Sequence, residues 1–314
     1  MDKSKPIAVA FLDLAKAFDT VNHKILLHKL YYYGIRGMAY KLMENYLTNR
    51  QQRVKIRNNV SSFSNINTGV PQSTILGPLL FILYVNDMFK ENIISYADDT
   101  AIIITGDTWH TVEKKMNEEL EKVSDWLALN KLSLNIKKTT YITFGNYCDS
   151  VLTNFDVLIN GKRINRVESS KYLGIIIDYR LNWENHIKYI VGNTKYLIFV
   201  FYKLSKIINI ETLRMIYFAL FNSIISYGII AWGNAYSNTL NILKNLQRKP
   251  KKIINKNKFI AHSNLPNIEQ LYAIESLNIH YDNLKCQFVN SKSITRNNSI
   301  LIPIRQKAVS NKCS

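Results

Sequence analysis

A chain of 314 residues with 41 Lys plus Arg against 23 Asp plus Glu has a formal charge of +18 and a pI near 9.6. Its first expected partner is therefore a polyanion, with nucleic acid ahead of a membrane surface. The three cysteines, Cys148, Cys286 and Cys313, have no short pairing and no neighbouring histidine pattern, which excludes a zinc knuckle and a disulfide framework and suits a reducing, intracellular setting in nucleus or cytoplasm. The opening "MDKSKPIAVAFLDLAKAFD" has an acid at position 2 and an apolar stretch broken by Asp13, so it does not read as a secretion signal.

Residues 7 to 14, "IAVAFLDL", are an apolar run with one acid near the end, the pattern of a buried strand. A helix follows, with Val21, Ile25, Leu26 and Leu30 at helical spacing, Asp19 placed to cap it and Gly34 to stop it. A second is expected from about Met38 to Leu47. In "QRVKIRNN" the period changes. Arg53, Lys55 and Arg57 alternate with Val54 and Ile56, so a strand here has one cationic and one apolar face, Asn58 and Asn59 suit a turn, and "VSSFSNI" can return. The cationic face is either a solvated edge or a surface for phosphates.

"TGVPQSTILGPLLFILYVNDM" predicts a turn at Gly69 to Pro71 and then an apolar helix through Leu79, Phe81 and Val85. "IISYADDTAIII" reads as a tight β-hairpin with Asp98 and Asp99 at its tip. An amphipathic helix follows, with Val112, Met116, Leu120, Val123 and Leu127 as its buried stripe, then strands at 140 to 145, 157 to 164 and 172 to 178. From about Trp183 the pattern is helical, beginning with Ile187, Ile190, Val191, Leu197, Ile198 and Phe201 on one side. Residues 213 to 232, "LRMIYFALFNSIISYGIIAW", are long enough to span a bilayer, but Asn222, Ser223, Ser226 and Gly228 favour a buried core helix. "LQRKPKKIINKNK" is a cationic run interrupted by Pro250, and the tail after about Ser291 has too few apolar residues to predict order.

Asp13 ends an apolar strand, where an unpaired carboxylate is costly to bury. If that strand lies beside the Asp98 hairpin, three carboxylates converge, and their repulsion raises at least one pKa unless a cation sits between them. Two Mg²⁺ ions would answer that, in the manner of in-line phosphoryl displacement. The ordinary alternative is that Asp98 and Asp99 are turn residues and Asp13 a helix cap.

Five ordered motifs bear on the choice: "FLDLAKAFDTVNHKIL", "GVPQSTILGPLLFILYVNDM", "YADD", "NKLSLNIKKTTYITF" and "KYLGIIIDYRLNWENHI". Together they resemble the palm motifs of reverse transcriptases of non-LTR (LINE, Jockey-like) retrotransposons, and "LRMIYFALFNSIISYGIIAWGNA" and "LKNLQRK" resemble that family's thumb. The resemblance implies an α+β fold, a right-hand-polymerase palm of antiparallel sheet backed by helices over residues 1–182 with partial fingers elements. A helical thumb-like region over 183–290 and a poorly ordered tail over 291–314 would follow.

By resemblance Asp13 is the first metal ligand and Asp98 the second, with Asp99 beside it and the Leu14 backbone carbonyl on a metal. Phe18 packs under the incoming sugar and excludes a 2′-hydroxyl, and Gln72 lies against the incoming nucleotide. Lys138 protonates the pyrophosphate leaving group, with Lys137 adjacent to it in sequence. Tyr172, Leu173 and Gly174 fall at the primer grip, and Tyr172 is otherwise an ordinary strand residue. The implied activity is RNA-templated DNA synthesis, with an RNA template, a DNA primer, dNTPs and two Mg²⁺, Mn²⁺ being a substitute.

Three features depart from the family. Ser73 and Thr74 follow Gln72 where Gly then Ser is usual, and a Cβ there can obstruct the approach of nucleotide and template. Before Asp13 stand only twelve residues, with Lys3 and Lys5 the only cations, so most of the fingers are expected to be missing. The tail "TRNNSILIPIRQ" resembles the start of a segment that runs further in relatives, so the chain reads as truncated at both ends. A remnant that only binds nucleic acid, and a membrane-attached protein using residues 213 to 232, are the competing readings.

Overall fold

The computed structural model describes residues 5–71, 74–88, 91–145, 155–255 and 265–294. The chain forms two compact units, Met1–His186 and Ile187–Ser314.

The first unit is built on β1 (Ile7–Asp13), which becomes the central strand because its residues are apolar on both faces. Ala8, Ala10 and Leu12 face one side and join the main core with Leu26, Phe81, Met116 and Leu120. Phe11, on the opposite side, packs with Ala101, Ile142 and Phe144 in a second core. Three helices precede the next strands: α1 (Ala17–Thr20), α2 (His23–Tyr32) and α3 (Gly37–Leu47). Asp19, the expected cap of α2, lies within α1. Asn22 is the cap, its side chain accepting from the Ile25 N–H, because the chain is still extended there and places that carbonyl over the free amides of the first turn.

The basic hairpin is broken into two short pairs. β2 (Arg50–Gln52) pairs with β5 (Ser64–Ile66), and β3 (Lys55–Ile56) with β4 (Asn59–Val60). The turn is Arg57–Asn58, with Arg57 left-handed at φ 54°, and Asn59 already belongs to β4. The apolar face expected here stays uncovered: Val54, Ile56 and Phe63 are exposed.

α4 (Leu76–Val85) buries Leu80, Phe81, Tyr84 and Val85 and leaves Leu79 exposed. β6 (Ile93–Tyr96) and β7 (Asp99–Thr105) form the expected hairpin, and α5 (Trp109–Leu129) buries the whole predicted stripe from Val112 to Leu127. β8 (Thr140–Phe144) follows. The two later strands expected are each a hairpin: β9 (Leu158–Ile159) with β10 (Lys162–Arg163), and, beyond β11 (Asn165–Arg166), β12 (Ser169–Tyr172) with β13 (Ile175–Asp178). Residue pairs in left-handed conformation, Asn160–Gly161 and Leu173–Gly174, fold each back on itself. The sheet order is β11-β8-β1-β7-β6, antiparallel throughout except for the parallel β11–β8 edge. The fold is α+β, as expected.

The second unit is helical among its described residues. It opens in the helix Glu184–Leu204, where Ile187, Ile190, Thr194 and Phe201 form the buried face. Residues 213 to 232 are not one helix. The segment runs as α-helix Ile210–Ile216, a π-helical stretch Tyr217–Asn222, a turn of helix Ser223–Ser226, a break at Gly228 in left-handed conformation, and Ile229–Trp232. Tyr217, Phe221, Ile225, Ile229 and Trp232 are its buried stripe. Among the described residues no helix is long and apolar enough to cross a membrane. Pro250 lies inside the helix Ser237–Asn255 without ending it, and the helix Ile268–Ile294 runs past Ser291; the rest of the tail, 295–314, lies outside the described residues.

Candidate active site

Strand pairing brings the sequence-distant acids together. The antiparallel register sets Asp13 opposite Asp99, and Asp98 is the second residue of the two-residue turn closed by the Tyr96–Asp99 pair. Asp13 spends both its backbone groups on the other side: its carbonyl accepts from Asn135 N–H at 2.8 Å and its N–H donates to Thr139 Oγ1 at 3.4 Å. The Asp13–Asp99 pair is therefore of the non-hydrogen-bonded type, in which facing side chains approach most closely. Leu14 leaves the sheet in a bridge with Leu134 whose bonds run between the neighbouring residues, Ala15 N–H to the Ser133 carbonyl and Asn135 N–H to the Asp13 carbonyl, so the Leu14 carbonyl is not used in that bridge.

The electrostatics follow from that crowding. Partial burial of its carboxyl, then Asp98 and then Asp13, push Asp99 above the usual carboxylate range, although the residue as a whole is exposed. The expected repulsion is present, but desolvation is the larger cause. The cation nearby is Lys138, whose Nζ lies 4.0 Å from Asp13 Oδ2. The turn 135–139 delivers it: Lys138 N–H and Thr139 N–H both donate to the Asn135 carbonyl at 3.0 Å, and that turn is the one that grips Asp13. Among the described residues no three His, Cys, Asp or Glu side chains converge closely enough to hold a metal ion by themselves. The donor set nevertheless fits a hard divalent cation, which takes one or two carboxylates and completes its shell with substrate phosphates and water. The neighbouring Asp98 and Asp13 charges, the lesser causes of the Asp99 shift, are what such a cation would offset.

The tip is supported by residues that sequence reasoning missed. Ala97 sits at φ 55°, a strained region for a residue with a Cβ. Ser95 Oγ donates to its carbonyl at 3.2 Å, and Thr100 Oγ1 donates to Ser95 Oγ at 3.1 Å. The Ser–Thr cross-strand pair was the available signal. Tyr172 closes β12 and packs its ring on Phe11 at 5.5 Å. Leu173 and Gly174, the other expected grip residues, are the turn itself, both left-handed at φ 46° and 80°.

Phe18 packs on Phe81 with ring centroids 4.6 Å apart and planes tilted by 30°, at the edge of the main core. Its carbonyl accepts from Val70 N–H, the Val21 carbonyl accepts from Gly69 N–H, and His23 Nε2 lies 2.7 Å from the Gly69 carbonyl. The "GVP" loop is thus sewn to the segment that carries Phe18. Gly69 is required: its φ is 88°, and a Cβ would meet the Asp19 carbonyl oxygen at 2.9 Å. Gly77 is required more strictly, since a Cβ would lie 2.1 Å from the Pro71 carbonyl oxygen. Thr74, one of the departures, donates to that carbonyl at 2.8 Å and accepts from Gly77 N–H at 3.1 Å, a local bond that its hydroxyl supplies. Gln72 and Ser73 lie outside the described residues.

Arg53, Lys55 and Arg57 are exposed on the basic hairpin, with the Arg53 guanidinium 4.9 Å over the Phe63 ring. One further acid separates structure from chemistry. Asp178 is buried, and its carboxylate accepts from the N–H groups of Arg180, Asn182 and Trp183 at 2.9–3.1 Å. A carboxylate satisfied in this way folds the loop around itself and has little capacity left for a ligand.

An antiparallel sheet presenting carboxylates side by side at the strand ends, with a lysine at their edge, can offer oxygen ligands to divalent cations and a proton donor beside them. The family model described as reverse transcriptase (RNA-dependent DNA polymerase) matches residues 1–177, and the chain belongs to that family. Among curated proteins it is 29% identical to the RNA-directed DNA polymerase from mobile element jockey of Drosophila melanogaster, over 90% of this chain and 33% of that protein. It is 27% identical to the probable RNA-directed DNA polymerase from transposon BS of the same organism, over 78% and 28%. The chain thus spans about a third of the length of these relatives. Reverse transcriptases generally work with divalent metal ions. A telomerase structure from Candida albicans aligns at a TM-score of 0.40 and 13% identity, covering 84% of this chain and 49% of that one, a likeness too slight to argue from.

Proposed function

We propose that this chain carries the nucleotidyl-transfer centre of an RNA-directed DNA polymerase of a non-LTR retrotransposon, extending a DNA primer on an RNA template. The observation that carries the reading is the Asp13–Asp99 register with Asp98 at the adjoining tip and Lys138 beside Asp13. Asp13, Asp98 and Asp99, with the Leu14 carbonyl, would hold two Mg²⁺ ions, or Mn²⁺ in their place. When bound, these supply activation of the primer 3′-hydroxyl and neutralisation of the leaving group's charge.

The primer 3′-hydroxyl gives up its proton to solvent as its oxygen forms a bond to the α-phosphorus of a dNTP, the bond from that phosphorus to the bridging oxygen breaks, and pyrophosphate leaves. Lys138 is the group able to give that leaving oxygen a proton, since its ammonium reaches the edge of the carboxylate cluster. Phe18, held by Phe81, forms the floor under the sugar, and Gln72, outside the described residues, is assigned to the incoming nucleotide by the family resemblance alone. Tyr172, Leu173 and Gly174 approach the primer end, and Arg53, Lys55 and Arg57 bind template–primer phosphates, so affinity falls steeply with salt.

The test is extension of a labelled DNA primer on RNA with dNTPs and Mg²⁺ or Mn²⁺, comparing the chain with its Asp98→Asn, Asp99→Asn double variant. Extension by the wild type alone supports the reading; no extension by either, with duplex binding intact, sinks it.

A further inference from the structure

The carboxylate hairpin is an edge element. β6 is the last strand of the sheet, its tip turns through a strained Ala97, and two exposed acids repel one another there. A tip so built needs a restraint from outside its own two strands. The restraint comes from the β12–β13 hairpin, which covers the face carrying Phe11, Asp13, Asp99 and Ala101, because alternate residues of paired strands share a face. From that hairpin the Tyr172 hydroxyl, with one proton to donate, lies within reach of two backbone carbonyls of the tip strands, Ile94 at 3.3 Å and Asp99 at 3.5 Å, a long three-centre contact. The ring is fixed on Phe11, two residues before Asp13 on the same face. One side chain therefore ties the strand of the first acid, by its ring, to the strands of the other two, by its hydroxyl.

We propose that Tyr172 is a positioning residue for the reaction, its hydroxyl clamping the β6–β7 tip so that Asp98 and Asp99 stand in register with Asp13. The assignment builds on the polymerase reading and adds to it a role directed at the protein's own carboxylates, separate from any contact with primer. It also explains why a Tyr stands at this position: Phe would serve the stacking on Phe11, and only the hydroxyl reaches the two carbonyls.

The experiment compares wild type with Tyr172→Phe, which keeps the ring and loses the clamp, by three readouts. Amide hydrogen exchange over residues 93–100 of the free chain is expected to quicken about three- to tenfold, the loss of roughly one hydrogen bond's worth of restraint. Mn²⁺ binding to the chain with template–primer and dNTP, read by electron paramagnetic resonance, is expected to weaken severalfold. In primer extension kcat is expected to fall about tenfold, by more than any change in template–primer Kd. Unchanged exchange and unchanged Mn²⁺ affinity in Tyr172→Phe overturn the proposal. So does a change confined to template–primer Kd, which makes Tyr172 a primer contact only. If wild type fails to extend while Tyr172→Phe still loosens the tip and weakens Mn²⁺ binding, the clamp stands and the polymerase reading falls.

Discussion

The sheet unit and the helical unit are held together by different economies of polar groups. In the helical unit the core is a stripe at every third or fourth residue, from Tyr217 through Phe221, Ile225 and Ile229 to Trp232. Its described buried polar side chains, Thr194 and Gln247, bond within the unit to a helix carbonyl, to Tyr217 and to the Pro266 carbonyl. In the sheet unit the described buried polar side chains are more numerous; some, such as His23 and Ser124, bond elsewhere, to the Gly69 carbonyl and to Asn160, and others stand beside the acids. Thr139 holds Asp13, Thr100 and Ser95 hold the turn, and Tyr84 donates to the Asn130 carbonyl beside the loop that carries Leu134. The contrast teaches that the helical unit rests mainly on an apolar stripe with few buried polar groups, whereas part of the sheet unit's larger set of directed bonds holds like charges adjacent.

Breaking the apolar stripe should have the largest effect on stability. Trp232 is fully buried with its indole N–H on the Tyr227 carbonyl, so Trp232→Ala is expected to cost about 3–5 kcal/mol. Denaturant unfolding followed by hydrogen exchange should localise the loss to residues after 187 and leave β1 and β7 protected. Loss of protection in the sheet strands as well would erase the distinction between the units.

Gly77→Ala attacks the sheet unit through geometry. Its Cβ cannot coexist with the Pro71 carbonyl oxygen at 2.1 Å, so the loop must shift, at about 1–3 kcal/mol. Chemical denaturation should register it, as should dNTP titration if the proposed polymerase activity holds, and a wild-type dNTP KM would separate this loop from the proposed site.

A pH scan sharpens the comparison further. His186 is buried, its Nδ1 accepts from the Ile176 N–H, and burial lowers its pKa from 6.5 to about 4. The folded form thus binds its proton less readily than the unfolded form, and stability present above pH 6.5 is lost as pH falls toward 4, on the order of 1–2 kcal/mol. Urea unfolding of wild type and His186→Gln over this range should show the slope in the wild type and its reduction in the variant.

The smallest effect has the opposite sign. Because Asp99's pKa is raised, its ionised form opposes folding, and the fold gains as pH falls through that raised pKa. Asp99→Asn is therefore expected to melt slightly higher than wild type at neutral pH without metal, by less than about 1 kcal/mol after solvent screening, while losing primer extension. A lower melting temperature in the variant would mean that Asp99 is a structural acid like Asp178.

Much of this was legible in residue order. The α5 stripe, the double-faced β1 run and the Asp98 hairpin follow from apolar periods of about 3.6, one and two, which depend only on neighbours in sequence. The five motifs named the acids and Lys138. Less legible were features decided by competition between nearby groups: Asn22 rather than Asp19 as a cap, hairpins where single strands were expected, and a π-helical stretch with a break inside the long apolar segment.

By itself, then, the sequence determined which residues could carry chemistry and which runs must be buried, since hydrophobic spacing and residue type are local properties. The tertiary structure alone decided that Asp13 and Asp99 are a close, non-hydrogen-bonded pair, that Asp178 is satisfied by backbone N–H groups, and that the Tyr172 hydroxyl meets two strands of the tip. The first and last of these depend on register between segments more than seventy residues apart, and register is set by how the whole sheet fills its two cores, whereas the Asp178 bonds close a local loop that apolar patterning does not reveal.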